Sequence, residues 1–326
     1  MSRYLVVGSN SFSGSRFIYS LLNQKHEVVA LSRNLELQEP LRLFQHQSGF
    51  EFNRFRLGDP LGELSAIKKN NQFDYIVNFA AQSMVGQSWN FPEDWYKTNL
   101  VDFSLFMKDL NTNVKFNKFI QFTTPEVYGS TNGWIKENFN FSPTTPYAIS
   151  RAASDYHLKA MAQTFDFPVV FTRAANVYGA GQPLYRLIPR VFFSALTKEK
   201  MVLDGGGKSQ RSFIEMNDVA DALTVIAEKG QTNASYHIST TEVKPIIEIV
   251  KICADIAEIE MKEFIEIGPE RVSKDEAYML DSQKIRQDLG WRDKVTLEKG
   301  LKSTYEWVKD NLKELRKLPR TYQHRK

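Results

Sequence analysis

One cysteine in 326 residues, Cys253, leaves no partner for an intramolecular disulfide, so the fold must rest on its core. In the segment IIEIVKICADIA that thiol falls at an apolar-periodic position, which reads as a small buried hydrophobe rather than a nucleophile. An excess of one charge is also missing. Lys+Arg 42 against Asp+Glu 38 leave +4, too little for the concentrated basic face that nucleic acid requires. Much of that excess lies between Lys313 and Lys326, where a solvated end is the expected reading. No stretch approaches the ~20 apolar residues needed to cross a bilayer. The apolar run in MSRYLVVGSN is far too short for a signal peptide. There is no internal repeat, low-complexity tract or polar linker, and no metal site is expected. These absences exclude fibrous, disordered and membrane-spanning classes and leave a cytoplasmic globular protein, with neither nucleic acid nor membrane as partner. At 42% apolar and 25% charged residues, the composition is that of an ordinary globular chain.

Short apolar runs alternate with helix-length segments through the first half. Strands are expected at Tyr4–Val7, Val28–Leu31, Phe52–Leu57, Tyr75–Phe79, Phe119–Phe122 and Val169–Thr172, with a helix over Ser13–Leu22. Continuous apolar strands separated by helices imply βαβ units and a parallel sheet covered on both faces. The fold class is therefore α/β, a Rossmann-type doubly wound parallel sheet. After about residue 175, Gly- and Pro-rich loops interrupt the pattern. Residues 1–175 are expected to form the dinucleotide-binding domain. Residues 176–326 form a smaller C-terminal α/β substrate-binding region, interleaved with the first at the sheet's C-terminal edge.

Gly8-Ser9-Asn10-Ser11-Phe12-Ser13-Gly14 follows the first strand directly and opens the first helix. Glycine permits the tight turn, and the helix N-terminus offers N–H groups to a pyrophosphate, so Gly8, Ser11, Phe12, Ser13 and Gly14 are candidate dinucleotide contacts. Ser11 stands where a third glycine is usual. At the end of the second strand, Ser32-Arg33 provides a cation where NAD sites usually carry a carboxylate for the ribose hydroxyl. Arg33 suits a 2′-phosphate, which favours NADP, with NAD as the alternative. Asp59 is placed to accept from the adenine amino group.

Three further segments converge on the strand ends: Thr124-Pro125-Glu126-Val127-Tyr128-Gly129, the helix entry around Tyr147 and Arg151, and Asn176-Val177-Tyr178-Gly179. Tyr147 and Arg151, four residues apart, share one helix face, and a guanidinium beside the phenol is expected to lower its pKa towards a working range.

With Phe79-Ala80-Ala81-Gln82-Ser83, Leu187-Ile188-Pro189, Arg211-Ser212-Phe213-Ile214 and Asp288-Leu289-Gly290-Trp291, these motifs resemble the NAD-dependent epimerase/dehydratase family of extended short-chain dehydrogenases/reductases. The closest resemblance is to its nucleotide-sugar 4,6-dehydratases, those acting on dTDP-glucose and GDP-mannose. The resemblance implies that Tyr147 takes a proton from a sugar hydroxyl that Thr124 also contacts. Glu126 would then abstract the proton made acidic by the neighbouring ketone, driving loss of water. Arg151 would reach a cofactor ribose hydroxyl, and Ala80 and Ala81 would border the cofactor. Ser83, Asn176, Arg190, Arg211 and Arg271 would hold a nucleotide-diphosphate sugar, with Tyr185 as a possible base-stacking ring. A homodimer through the Tyr147 helix is implied, with Ala152, Ala153, His157, Leu158 and Met161 on it. Three positions depart from the family pattern. Arg151 replaces its lysine, Pro125 stands where dTDP-glucose enzymes have an aspartic acid, and Met84 replaces a histidine. The alternatives are therefore a 4-epimerase or reductase of the same family, or a non-catalytic nucleotide-binding protein.

Overall fold

The structure, a computed structural model, describes residues 1–131, 133–270 and 277–324. Its centre is a seven-stranded sheet of β1 (Arg3–Val7), β2 (Glu27–Ser32), β3 (Phe50–Arg54), β4 (Gln72–Asn78), β5 (Lys115–Thr123), β6 (Val169–Ala174) and β7 (Ser235–Ile238). The spatial order is β7-β6-β5-β4-β1-β2-β3, and every pairing is parallel. The order reverses at β1, between β2 and β4. That is the switch point, where the loops after β1 and β4 diverge and open a crevice.

The period-2 geometry of β1 sorts its residues between two cores. Tyr4 and Val6 face α1 (Phe12–Asn23) and α5 (Met216–Lys229), packing with Phe17, Leu21, Val219 and Leu223. Leu5 and Val7 face the other layer, α2 (Phe103–Asn113) and α3 (Pro146–Phe165), packing with Phe103, Phe106, Leu110 and Leu158. The second region has its own core between α4 (Leu187–Thr197), α6 (Ile246–Ala257) and α7 (Leu297–Asp310). Cys253 lies fully buried there, and burial pushes its thiol pKa up, as a packing residue requires.

The third strand runs over 50–54 rather than 52–57. Phe55 donates its amide to Ser32 O as the chain leaves the edge, and Phe55 and Leu57 are buried outside the sheet. The two halves of the chain share one sheet, because β7 comes from the second half and pairs with β6. No helix among the described residues is long and apolar enough to cross a membrane.

Candidate active site

Gly8 has φ +80°, and a Cβ there would stand 2.5 Å from the Ala80 amide nitrogen. The turn after β1 therefore lies against the end of β4, where any side chain at position 8 would collide. The amides of Gly8 and Ser9 both donate to Leu31 O, at 2.8 and 3.0 Å. Ser11 caps α1, its Oγ accepting from the Gly14 amide at 3.0 Å. The serine that replaces a glycine is thus a helix cap. Phe12 and Ser13 open the helix, where backbone N–H groups have no intrahelical carbonyl. Ser9 Oγ is buried in the same turn with no hydrogen-bond partner. These features fit the diphosphate of a dinucleotide.

Asn10 ties the turn to the loop after β2, donating to Leu35 O at 2.6 Å and accepting from the Leu37 amide at 3.3 Å. Ser32 and Arg33 are half-buried at the end of β2, and Arg33 O accepts from Arg54 Nε at 3.0 Å. The first carboxylate along the chain after β2, Glu36, is occupied by Arg42 at 3.1 Å and His46 at 2.8 Å. Asp59 is exposed and accepts from the Arg56 amide at 3.2 Å.

β5 delivers Thr124 to the crevice. Thr124 is buried, and its Oγ1 caps the short 3-10 turn Pro125–Tyr128 by accepting from the Glu126 amide at 3.3 Å. Pro146 at the first turn and Thr145 as cap start α3, which presents Tyr147 and Arg151 one turn apart. Thr124, Glu126, Arg151 and Arg186 all act on the Tyr147 hydroxyl.

The expected lowering of the Tyr147 pKa is not what results. Burial raises it, and the Glu126 carboxylate raises it further, against opposing effects from Arg151, Thr124 and Arg186. The charged phenolate costs more in a dry site than one flanking guanidinium returns. Arg151 is itself anchored, Nη2 donating to Phe122 O at 2.6 Å, while its buried Nε has no partner.

Two side chains that sequence reasoning did not assign complete the cluster. Tyr278 donates to Asn176 Oδ1 at 2.8 Å and lies 3.5 Å from Glu126 Oε1, and the Arg211 guanidinium stacks 4.4 Å from its ring centroid. One ring thus joins the candidate base to two of the candidate substrate contacts. Arg186 reaches Ser83 Oγ at 3.4 Å while its charge acts on Tyr147. Arg190 pairs with Glu199 at 3.6 Å in company with Arg320. Arg271 lies outside the described residues. Ala80 and Ala81 flank the glycine turn, half-buried, with the Ala80 amide held by Asn78 Oδ1 at 3.0 Å.

Buried polar contacts fix these loops. Within a helical run from Pro92 to Asn113, residues Lys97–Asp102 are π-helical, and Asn99 is buried there. Its side chain accepts from the Gln82 amide at 2.8 Å and donates to Gln82 O at 3.0 Å and Ser150 Oγ at 2.9 Å. Below α3, Asp155 and Arg173 form a fully buried pair at 2.7 Å, with Thr123 donating to Asp155 at 3.1 Å. Tyr128, Phe139 and Phe141 surround the Arg173 guanidinium at 5.0–5.6 Å. The pair fastens the tyrosine helix to the ends of β5 and β6.

The class is now defined: a Rossmann-type short-chain dehydrogenase/reductase whose crevice sets a tyrosine, a threonine and a carboxylate beside a dinucleotide turn. The profile of the family described as GDP-mannose 4,6 dehydratase matches residues 5–304, and the chain belongs to that family. It is 28% identical to the dTDP-glucose 4,6-dehydratase of Xanthomonas campestris over 332 residues, 95% of this chain and 94% of that protein. It is also 28% identical to human dTDP-D-glucose 4,6-dehydratase, over 95% of this chain and 90% of that one. Two trifunctional dehydratase/epimerase/reductase proteins of Arabidopsis thaliana match at 30% and 27% identity, but the chain spans only 37% and 47% of their length. Among solved structures, the dTDP-glucose 4,6-dehydratase of Streptomyces venezuelae, with NAD bound, superposes with TM-score 0.87 at 26% identity, covering 96% of this chain and 98% of that one. The UDP-glucose 4-epimerase of Thermotoga maritima gives 0.86 at 25%, covering 95% and 99%.

Proposed function

We propose that this protein is a nucleotide-sugar 4,6-dehydratase. The observation that carries the reading is Glu126. It shares the crevice with Tyr147 and Thr124, close enough for its charge to shift the Tyr147 phenol, and it faces Asn176 through Tyr278. A carboxylate there serves a proton abstraction that epimerisation at C4 alone does not need. Residues 1–175 are read as holding the cofactor and residues 176–326 the nucleotide sugar.

In this scheme Thr124 orients the sugar's C4 hydroxyl and Tyr147 takes its proton. The dinucleotide, when bound, supplies the hydride acceptor for C4 and the donor that returns the hydride. Glu126 removes the C5 proton beside the ketone, and hydroxide leaves C6 with a proton. Pro125 cannot donate that proton, so Glu126, once protonated, is assigned to hand it on. The hydride then returns to C6, and Glu126, reprotonated from solvent, supplies the proton that C5 regains. Arg151 keeps its charge beside Tyr147 but acts as a fixed hydrogen-bond donor rather than a proton shuttle. Arg211, stacked on Tyr278, is positioned for the substrate diphosphate. NADP is the proposed cofactor, on Arg33 at the end of β2. NAD is the second reading, because the solved dehydratases of Streptomyces venezuelae and Bacillus anthracis carry it.

A homodimer is proposed through α2 and α3. Val101 and Leu105 of one helix run and Ile149 and Tyr156 of the other leave large apolar side chains exposed. Ala152, Leu158 and Met161 do not contribute to that face, being buried in the chain's own core. The lone buried thiol is consistent with a cytoplasmic site of action.

The test is incubation with dTDP-glucose, UDP-glucose and GDP-mannose in deuterium oxide. A 4-keto-6-deoxy product with solvent deuterium at C5 is expected. A product inverted at C4 with its original C5–H intact would establish the 4-epimerase reading that the likeness to the Thermotoga maritima enzyme favours.

A further inference from the structure

The turn that carries Glu126 is fastened at both ends. Thr124 caps its start, and at its close the Gly129 amide donates to Glu126 O at 3.1 Å. Tyr128, its last residue, is buried, and the Tyr128 hydroxyl lies 2.9 Å from His237 Nε2, with Asn138 O farther off at 3.3 Å. His237 is fully buried on β7, where it stands opposite Arg173 of β6, and its amide donates to Glu137 Oε1 at 2.8 Å. The imidazole therefore hangs from the sheet, the most rigid part of the fold. Its other nitrogen, Nδ1, lies 3.1 Å from Asp281 O. A carbonyl only accepts, so Nδ1 carries the proton and Nε2 accepts from the Tyr128 hydroxyl. Burial, aided by the Arg173 charge, pushes the His237 pKa down to about 3, so the ring is neutral near pH 7 and keeps this tautomer.

Asp281 ends the segment that carries Tyr278. Met279–Leu280 pairs in parallel with Trp134–Ile135, the Asp281 amide donates to Ile135 O at 2.9 Å, and the Met279 amide donates to Thr131 Oγ1 at 3.1 Å. Val127, Tyr128, Ala152 and Leu280 form a small core of their own between this segment, the turn and α3. Glu126 stands two residues before Tyr128, and Tyr278 three residues before Asp281. The two side chains meet at 3.5 Å. One imidazole thus touches both of the chain segments that bring this contact together, one with each nitrogen.

We propose that His237 is a positioning residue for Glu126. Through the Tyr128 hydroxyl on one nitrogen and the Asp281 carbonyl on the other, it holds the carboxylate and Tyr278 in the register that proton abstraction at C5 requires. This rests on reading Glu126 as the C5 base. Thr124 and Tyr147 reach the crevice from the end of β5 and from α3, so the C4 oxidation is left in place when the His237 link is cut.

The test uses the full, cofactor-loaded chain with Tyr128→Phe, His237→Leu, His237→Gln and the Tyr128→Phe/His237→Leu double variant. Each is given dTDP-glucose, UDP-glucose and GDP-mannose in deuterium oxide. Tyr128→Phe keeps the ring and removes one hydroxyl, so deuterium entry at C5 should slow about three- to tenfold, the worth of one hydrogen bond. Single-turnover reduction of the nicotinamide should stay within about twofold at its plateau. Its rising limb should move to lower pH, because a carboxylate held less closely raises the Tyr147 pKa less. His237→Leu should show the same split, and His237→Gln, whose amide oxygen can still accept from Tyr128, should recover most of it. The double variant should be no slower than the slower single, since both cut one link. Exchange and pH limb unchanged in Tyr128→Phe overturn the proposal. So does an equal slowing of oxidation and exchange with a lowered Tm, which would mark a merely structural contact. A parent that oxidises C4 without exchange at C5 defeats the dehydratase reading alone, and the position of the pH limb then decides on His237. If the parent turns over none of the three sugars, that reading also fails, and the carboxyl ¹³C resonance of Glu126, assigned with Glu126→Gln, decides instead. A resonance displaced by Tyr128→Phe supports the link, and an unmoved one overturns it.

Discussion

Replacing Glu126 by glutamine separates the two halves of the proposed reaction, because the carboxylate acts on them in opposite directions. Its negative charge raises the Tyr147 pKa, so its removal lowers that pKa and enlarges the phenolate fraction at any given pH. Burial of the phenol leaves that charge less screened than it would be in water. Oxidation at C4 should therefore persist, with its rising limb moved to lower pH. Elimination loses its base, and a positioned general base contributes about 10²–10⁴-fold, roughly 2.7–5.4 kcal/mol of barrier. Glutamine keeps an acceptor facing Tyr278, so the Asn176–Tyr278 contact should survive. Single-turnover absorbance of the reduced nicotinamide gives the first half, and solvent deuterium at C5 gives the second. The variant should accumulate reduced cofactor and 4-ketosugar with little exchange at C5. If it instead forms the 4-keto-6-deoxy product at the parent rate, Glu126 is not the base. If reduction fails together with exchange, the electrostatic argument about Tyr147 is wrong.

Arg151→Met removes an influence that lowers the Tyr147 pKa, so the rising limb of the oxidation half-reaction should move to higher pH and Arg151→Lys should move it back; a pH profile unchanged in both would exclude an electrostatic role. Asp155→Ala strands the fully buried Arg173 charge and should cost about 3–5 kcal/mol in urea unfolding. The Asp155→Leu/Arg173→Met double variant should recover most of that loss, and a double variant as unstable as the sum of the singles would refute the pair. Arg33→Ala should weaken NADP binding about tenfold while leaving NAD binding nearly unchanged in a fluorescence titration; equal loss for both cofactors would remove the case for a 2′-phosphate site.

What was legible in the sequence was local. The alternation of Tyr4-Leu5-Val6-Val7 between two cores, the glycine turn after β1, and the four-residue spacing of Tyr147 and Arg151 each follow from the period of a single element. What was not legible depends on chain closure. Tyr278 reaches Glu126 across 152 positions and Tyr322 reaches Gln82 across 240, and neither contact follows from the period of a single element. Asn99 enters the site from a π-helical stretch, which shifts the helical phase that a period of 3.6 would assign.

The Tyr147 pKa shows why motif and mechanism part company at this site. Spacing places Arg151 beside the phenol and predicts a lowered pKa, yet desolvation is a property of the finished core and dominates. The resulting phenol is a weak acid whose proton leaves readily only when positive charge accumulates around it. Arg151 and Arg186 already flank it, the first locked to the Phe122 carbonyl and the second to Ser83. The Ser83 that meets Arg186 is next to Gln82, which Tyr322 contacts at 3.1 Å. The positive charge beside Tyr147 is thereby held by Phe122 and Ser83, residues with no ionisable group of their own.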